Sequence, residues 1–174
     1  MLRERRLVVI LGPKGVGKAS VARRVLPSGS LTLRGDALHE ACNRAVRRRA
    51  WPKEILEAPG LFIKEPTYLQ RRHGVTRLLG QLIESRVDGG LTTVVSEGQD
   101  DSALLLLDAV EPGQGVTLNL RFPKRGGRMR FARARCEDLG LDPRLAARLE
   151  IEEPWTYLKV SRALYRIRRD REEG

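Results

Sequence analysis

The apolar run Leu7-Val8-Val9-Ile10-Leu11 leads without a break into nine residues, GPKGVGKAS, Gly12 to Ser20. No other feature restricts the fold as much. A continuous apolar run over Arg6 to Leu11 suits a strand whose sheet is covered by helices on both faces, where a half-exposed strand would alternate. The glycines that follow let successive backbone N–H groups turn inward around phosphate oxygens. A helix opening at Lys18 adds the positive end of its dipole at the same point. Strand, glycine-rich loop and helix in that order predict a parallel sheet with a ligand at the carboxyl ends of its strands. Gly12, Pro13, Lys14, Gly15, Val16, Gly17, Lys18, Ala19 and Ser20 are therefore candidates for binding a nucleoside triphosphate, with Lys18 reaching the β and γ phosphates. The residue after Lys18 is Ala19, so the hydroxyl such loops offer to magnesium arrives one place later, on Ser20.

The rest of the chain alternates strand and helix patterns. Helices are expected over Lys18 to Val25, Ala37 to Ala50 and Val75 to Val87, closed by Pro27-Ser28-Gly29, Trp51-Pro52 and Asp88-Gly89-Gly90. Strands are expected over Leu31 to Arg34, Thr92 to Val95 and Val116 to Leu120; Leu61-Phe62-Ile63 reads as a short strand or an apolar anchor. Ser102 to Val110, Met129 to Leu139 and Pro154 to Arg168 carry helical patterns. No repeat or linker divides residues 1–174, and the alternation predicts one α/β domain: three layers, α/β/α, around a four- to five-stranded parallel sheet.

At 174 residues and 41% apolar, the chain is long enough for one core and too apolar for a disordered composition. No apolar run approaches the roughly 18 residues a bilayer demands, and the basic-then-apolar N-terminus lacks the cleavage site of a secretory leader. A cytoplasmic protein without a membrane partner is the expectation. Cys42 and Cys136 show no metal-ligand spacing, and His39 and His73 are isolated, so no metal site built from protein ligands alone is expected. The net charge of +11 points toward phosphate-bearing partners, nucleic acid included. That charge is almost all arginine, as a GC-rich genome would also produce. Only eight aromatics, scattered along the chain, weigh against single-strand recognition by stacking.

The loop resembles that of P-loop kinases of the nucleoside monophosphate type. Adenylate kinases carry G-K-G-T, a small residue and then a hydroxyl, which Ala19 and Ser20 match. The resemblance implies a P-loop NTPase domain, a kinase that takes ATP and Mg2+ as cofactors, and phosphotransfer to a nucleoside, a nucleotide or a nucleic-acid 5′ end. Asp36, just past the second strand, resembles the acceptor-binding carboxylate of polynucleotide kinases, and would also cap the helix that follows. Glu97 resembles a Walker B carboxylate that would hold magnesium with Ser20. Residues 121–136, rich in arginine and hinged by Gly126-Gly127, resemble a kinase lid, with Arg128, Arg130 and Arg133 as candidate phosphate clamps. Lys64-Glu65-Pro66-Thr67, and the stretch from Arg148-Leu149-Glu150 to Tyr165, faintly resemble segments of thymidylate kinases.

Two other readings fit the same residues. A nucleotide-binding switch or assembly ATPase or GTPase would need the loop but neither Asp36 nor an arginine lid, although no N-K-x-D guanine-reading motif is present. A basic nucleic-acid-binding module with a degenerate loop would need only the arginines.

Overall fold

The computed structural model describes residues 6–66, 74–98, 106–108, 110–149, 151 and 155–173. Contacts divide the chain into two compact units, one of Met1–Gly12 and Lys18–Leu120, the other of Pro13–Gly17 and Arg121–Gly174.

The first unit is built on a five-stranded sheet. Its elements in chain order are β1 (Leu7–Leu11), α1 (Lys18–Val25), β2 (Leu31–Arg34), α2 (Gly35–Arg48), α3 (Lys53–Leu56), β3 (Gly60–Lys64), α4 (Val75–Asp88), β4 (Thr92–Glu97) and β5 (Gly115–Asn119). The strand order is β2-β3-β4-β1-β5 and every pairing is parallel. All five residues of β1 are buried, as its unbroken apolar run requires. Alternation then sends Leu7, Val9 and Leu11 to one face and Val8 and Ile10 to the other. On the first face they meet Leu38, Ala41 and Ala45 of α2, Ile55 of α3 and Leu79, Leu82 and Ile83 of α4. On the second they meet Ala22 and Val25 of α1 together with Phe62 and Val94. This is the expected three-layer α/β/α arrangement, with five strands.

Elements differ from expectation where local geometry overrides the apolar pattern. Helix α2 ends at Arg48 because Arg49 takes left-handed backbone (φ 53°), and the N–H of Ala50 returns to the Ala45 carbonyl. Leu61-Phe62-Ile63 belongs to a full strand, opened by Gly60 where a side chain would collide with Leu26, Pro27 and Ser30. The short helix α3 carries too few residues for a periodic signal. Of the helix expected over Ser102 to Val110, residues 106–108 form a single 3-10 turn and 102–105 and 109 lie outside the described residues, as do Thr67, His73 and Glu150.

Arg86 of α4 is fully buried, and its five N–H groups are all spent. They reach the carbonyls of Ile55, Leu56, Ala58 and Thr92 at 2.6–3.1 Å and the Thr93 hydroxyl at 3.0 Å. None of these partners is a carboxylate. Burial lowers the pKa of Arg86 to about 10, which leaves it charged near neutrality.

The second unit holds α5 (Arg125–Asp138), a 3-10 helix (Pro143–Arg148) and α6 (Tyr157–Glu172). Ala132 and Cys136 of α5 pack with Trp155, Val160 and Leu164 into a separate core. The Phe131, Trp155 and Tyr157 rings meet edge-on, with centroids 4.4–6.2 Å apart. Among the described residues no helix is long and apolar enough to cross a membrane.

Candidate nucleotide-binding site

The loop between β1 and α1 is shaped by its glycines. Gly15 and Gly17 stand at φ 84° and 99°, in the left-handed region that other residues enter at a cost of about 1 kcal/mol. Gly15 is held to glycine twice over, since a Cβ there would come within 2.9 Å of the Thr156 side chain. Thr156 caps α6 with its hydroxyl, which accepts from the Lys159 N–H at 3.1 Å.

On the sheet unit, β1 and β4 are locked at their carboxyl ends. Leu11 pairs with Glu97, and the Gly12 N–H donates to the Gly98 carbonyl at 3.0 Å. Lys18 opens α1, is 7% exposed, and donates from Nζ to the Gly12 carbonyl at 2.5 Å. Desolvation lowers its pKa, while the carboxylates of Glu65 and Glu97 act against that fall and Lys64 adds to it. Lys18, Lys64, Glu65 and Glu97 therefore share one electrostatic neighbourhood. Glu97 is 5% exposed, and its Oε1 accepts from the Gly98 N–H at 2.9 Å.

The sequence-expected residues are distributed unevenly. The charge of Glu97 acts on Lys18. Ser20 is exposed on α1, and Lys14 is exposed in the loop. Asp36 is exposed in the first turn of α2, inside the helix and past its N-cap position, which Arg34 fills. It lines an open cleft with Thr32, Arg34, Lys64 and Glu65. Arg128 sits over the Trp155 ring at 5.5 Å and donates from Nε to the Pro123 carbonyl at 3.0 Å, so it is engaged within its own unit. Arg130 and Arg133 are exposed on α5.

Glu65 is the residue that sequence reasoning missed as part of this neighbourhood. It follows the last residue of β3, holds left-handed backbone (φ 53°), and donates its N–H to the Ser96 carbonyl at 2.7 Å. Non-glycine residues in that region cluster at functional sites. The available signal was the apolar run Leu61-Phe62-Ile63 ending in Lys64-Glu65, equivalent in form to the run that ends in Glu97.

Magnesium would find carboxylates here in Glu65 and Glu97, while the Ser20 hydroxyl is exposed on α1. It favours an octahedron of oxygens, usually one or two carboxylates completed by phosphates and water. Here Ala19 lacks a hydroxyl and β3 closes on an ammonium, Lys64. The nearby carboxylates, Glu65 and Glu97, already act on Lys18. Among the described residues no three His, Cys, Asp or Glu side chains gather as a metal group.

No family model and no curated protein sequence matches the chain. Solved structures do. Domain III of the replication initiation protein DnaA from Thermotoga maritima matches with a TM-score of 0.63 and 15% identity, over 93% of this chain and 69% of that one. The replication initiator DnaA bound to AMPPCP and single-stranded DNA matches with a TM-score of 0.71 and 12% identity, over 97% and 59%. PCH-2 of C. elegans matches with a TM-score of 0.53 and 15% identity, over 95% and 61%. The chain thus spans less than two thirds of the latter two. At these identities the likeness is one of fold alone.

That finding corrects the phosphotransferase expectation. The matching structures are replication initiators, PCH-2 and katanin, and none of them is described as a kinase. The physical reason lies in what the loop encodes. A glycine-rich turn before a helix records that a phosphate chain is cradled and carries no information about what receives a phosphate.

Proposed function

We propose that the chain is a nucleotide-binding switch that takes ATP on the Gly12–Ser20 loop and uses its occupancy as a conformational or assembly signal. The observation that carries this reading is the buried Lys18 ammonium, placed where α1 begins and beside two carboxylates. Burial of an ammonium is costly without compensation, and a triphosphate compensates it more fully than two shared carboxylates. The α1 dipole adds to the same attraction for an anion. Two matching structures are bound to the ATP analogue AMPPCP, which supports ATP as the nucleotide.

Hydrogen exchange with and without ATP tests the switch. ATP is expected to slow exchange at the amides of residues 12 and 14–20, and γ-labelled phosphate is expected never to reach a nucleoside, a nucleotide or a 5′-hydroxyl end. Exchange that is identical with and without ATP would refute the reading.

A second partner is favoured by the charge distribution. Residues 13–17 and 121–174 hold sixteen of the 33 basic residues and nine of the 22 acidic ones. Arg162 and Arg166 of α6 are exposed, with exposed Leu158 and Tyr165 on the same helix. One structural neighbour is bound to single-stranded DNA. We infer that this unit contacts the phosphates of a nucleic-acid strand. Log affinity for a single strand should then fall linearly with log salt. Replacing Arg162 and Arg166 by alanine should flatten that slope by about 1.4, at roughly 0.7 for each phosphate no longer neutralised. A wild-type slope near zero would exclude the contact.

A further inference from the structure

We propose that α6 reads the state of the nucleotide loop through Thr156 and Tyr157, so that ATP on the loop and a nucleic-acid strand on Arg162 and Arg166 alter each other's affinity. The inference rests on the two readings above and adds to them the route that connects the two ligands.

Pro13–Gly17 of the loop belong to the same compact unit as α6. Gly15 and Gly17 turn bare backbone toward the start of that helix. A Cβ at Gly15 would meet Cβ and Cγ2 of Thr156 at 2.9 Å, and one at Gly17 would meet the Tyr157 ring at 3.6 Å. At Gly15 no gap remains between loop and helix. Neither neighbour yields easily. Thr156 is β-branched, with few χ1 rotamers open to it, and its hydroxyl is committed to the Lys159 N–H at 3.1 Å. Tyr157 meets Phe131 and Trp155 edge-on, with ring centroids 4.4 and 5.2 Å from its own. Close-packed groups transmit strain rather than absorb it. A loop that closes on a triphosphate therefore moves the first turn of α6 with it. That helix runs unbroken over Tyr157–Glu172, seated on its core by Val160 and Leu164 and exposing Arg162 and Arg166. The two arginines stand roughly 9 and 15 Å along the axis from Thr156, at about 1.5 Å per residue. This is about one to two Debye lengths at physiological salt, so direct repulsion between triphosphate and strand is screened. The packed helix then carries the greater part of the coupling.

Anisotropy titration of a labelled single-stranded oligonucleotide with the full chain, at physiological salt and with or without saturating ATP, tests this. ATP is expected to change the Kd of the strand at least about fivefold, and saturating strand to change the Kd of ATP by the same factor. Thr156→Ser keeps the capping hydroxyl and removes the methyl that faces Gly15. Each ligand alone should bind this variant as it binds wild type, while the coupling should fall below about twofold. Lys18→Ala, in which ATP no longer occupies the loop, should show no effect of ATP on the strand. An effect that persists there would mean that ATP competes directly for the arginines, and would overturn the inference. Melting of ligand-free Thr156→Ser, expected to match wild type, separates loss of coupling from loss of fold. With both ligands binding, equal strand affinity with and without ATP would overturn the inference alone, as would full coupling in Thr156→Ser. Absence of ATP binding, or of strand binding, would overturn the reading concerned and the inference with it.

Discussion

Arg86→Met should destabilise the sheet unit by about 3 kcal/mol or more, enough to remove a large share of the roughly 5–15 kcal/mol that holds a typical domain together. Two effects oppose each other at this site. Methionine spares the folded state the desolvation of a guanidinium, which favours the variant. It also leaves the carbonyls of Ile55, Leu56, Ala58 and Thr92 without the donor that now serves them. Each such orphan costs on the order of 1–3 kcal/mol. Several orphans against one relieved charge decide the sign. Arg86→Lys should lie between the two, because three donors on a point charge cannot span five acceptors. Urea melts of the three proteins measure the order directly. A methionine variant as stable as wild type would show that the acceptors are satisfied in some other way.

Lys18→Ala should weaken ATP binding at least about a hundredfold, or roughly 2.7 kcal/mol, without lowering the melting temperature of the nucleotide-free protein. What the variant gives up is above all an ammonium, the buried cation that opens α1. Removing it leaves Glu65 and Glu97 in the same neighbourhood with one cation fewer, and these carboxylates would then repel a triphosphate. Stability should hold or rise, because desolvation is the largest influence on Lys18 and it is relieved in the variant. Fluorescence titration and a thermal melt of the same sample separate the two effects. Equal affinity in the variant would remove Lys18 from the site.

What could be read from the amino acids follows from how local each feature is. The strand Leu7–Leu11, the loop and the helix Lys18–Val25 are contiguous, so burial, turn chemistry and dipole all act within one short stretch. The layer count follows from alternation of elements and was legible for the same reason. Strand order was not. Nothing in either apolar run says that β4 inserts between β1 and β3, bringing Glu97 beside Leu11 and Lys64 beside Ser96. Glu65 therefore stayed hidden as a neighbour of Lys18. Arg86 looks like any helix arginine until tertiary packing buries it. Arg128 looked free to clamp a phosphate, yet its guanidinium lies over Trp155, twenty-seven residues away in sequence. The kinase expectation came from a loop whose geometry is shared across phosphate-binding proteins, and from Asp36, which is an exposed residue in the first turn of α2.

Equilibrium titration of ATP onto the full chain, followed by displacement with ADP, tests nucleotide binding most directly. One saturable site per chain is expected, displaced by ADP and lost in Lys18→Ala. A titration that never saturates, or that saturates equally in wild type and Lys18→Ala, would contradict a nucleotide switch built on Gly12–Ser20.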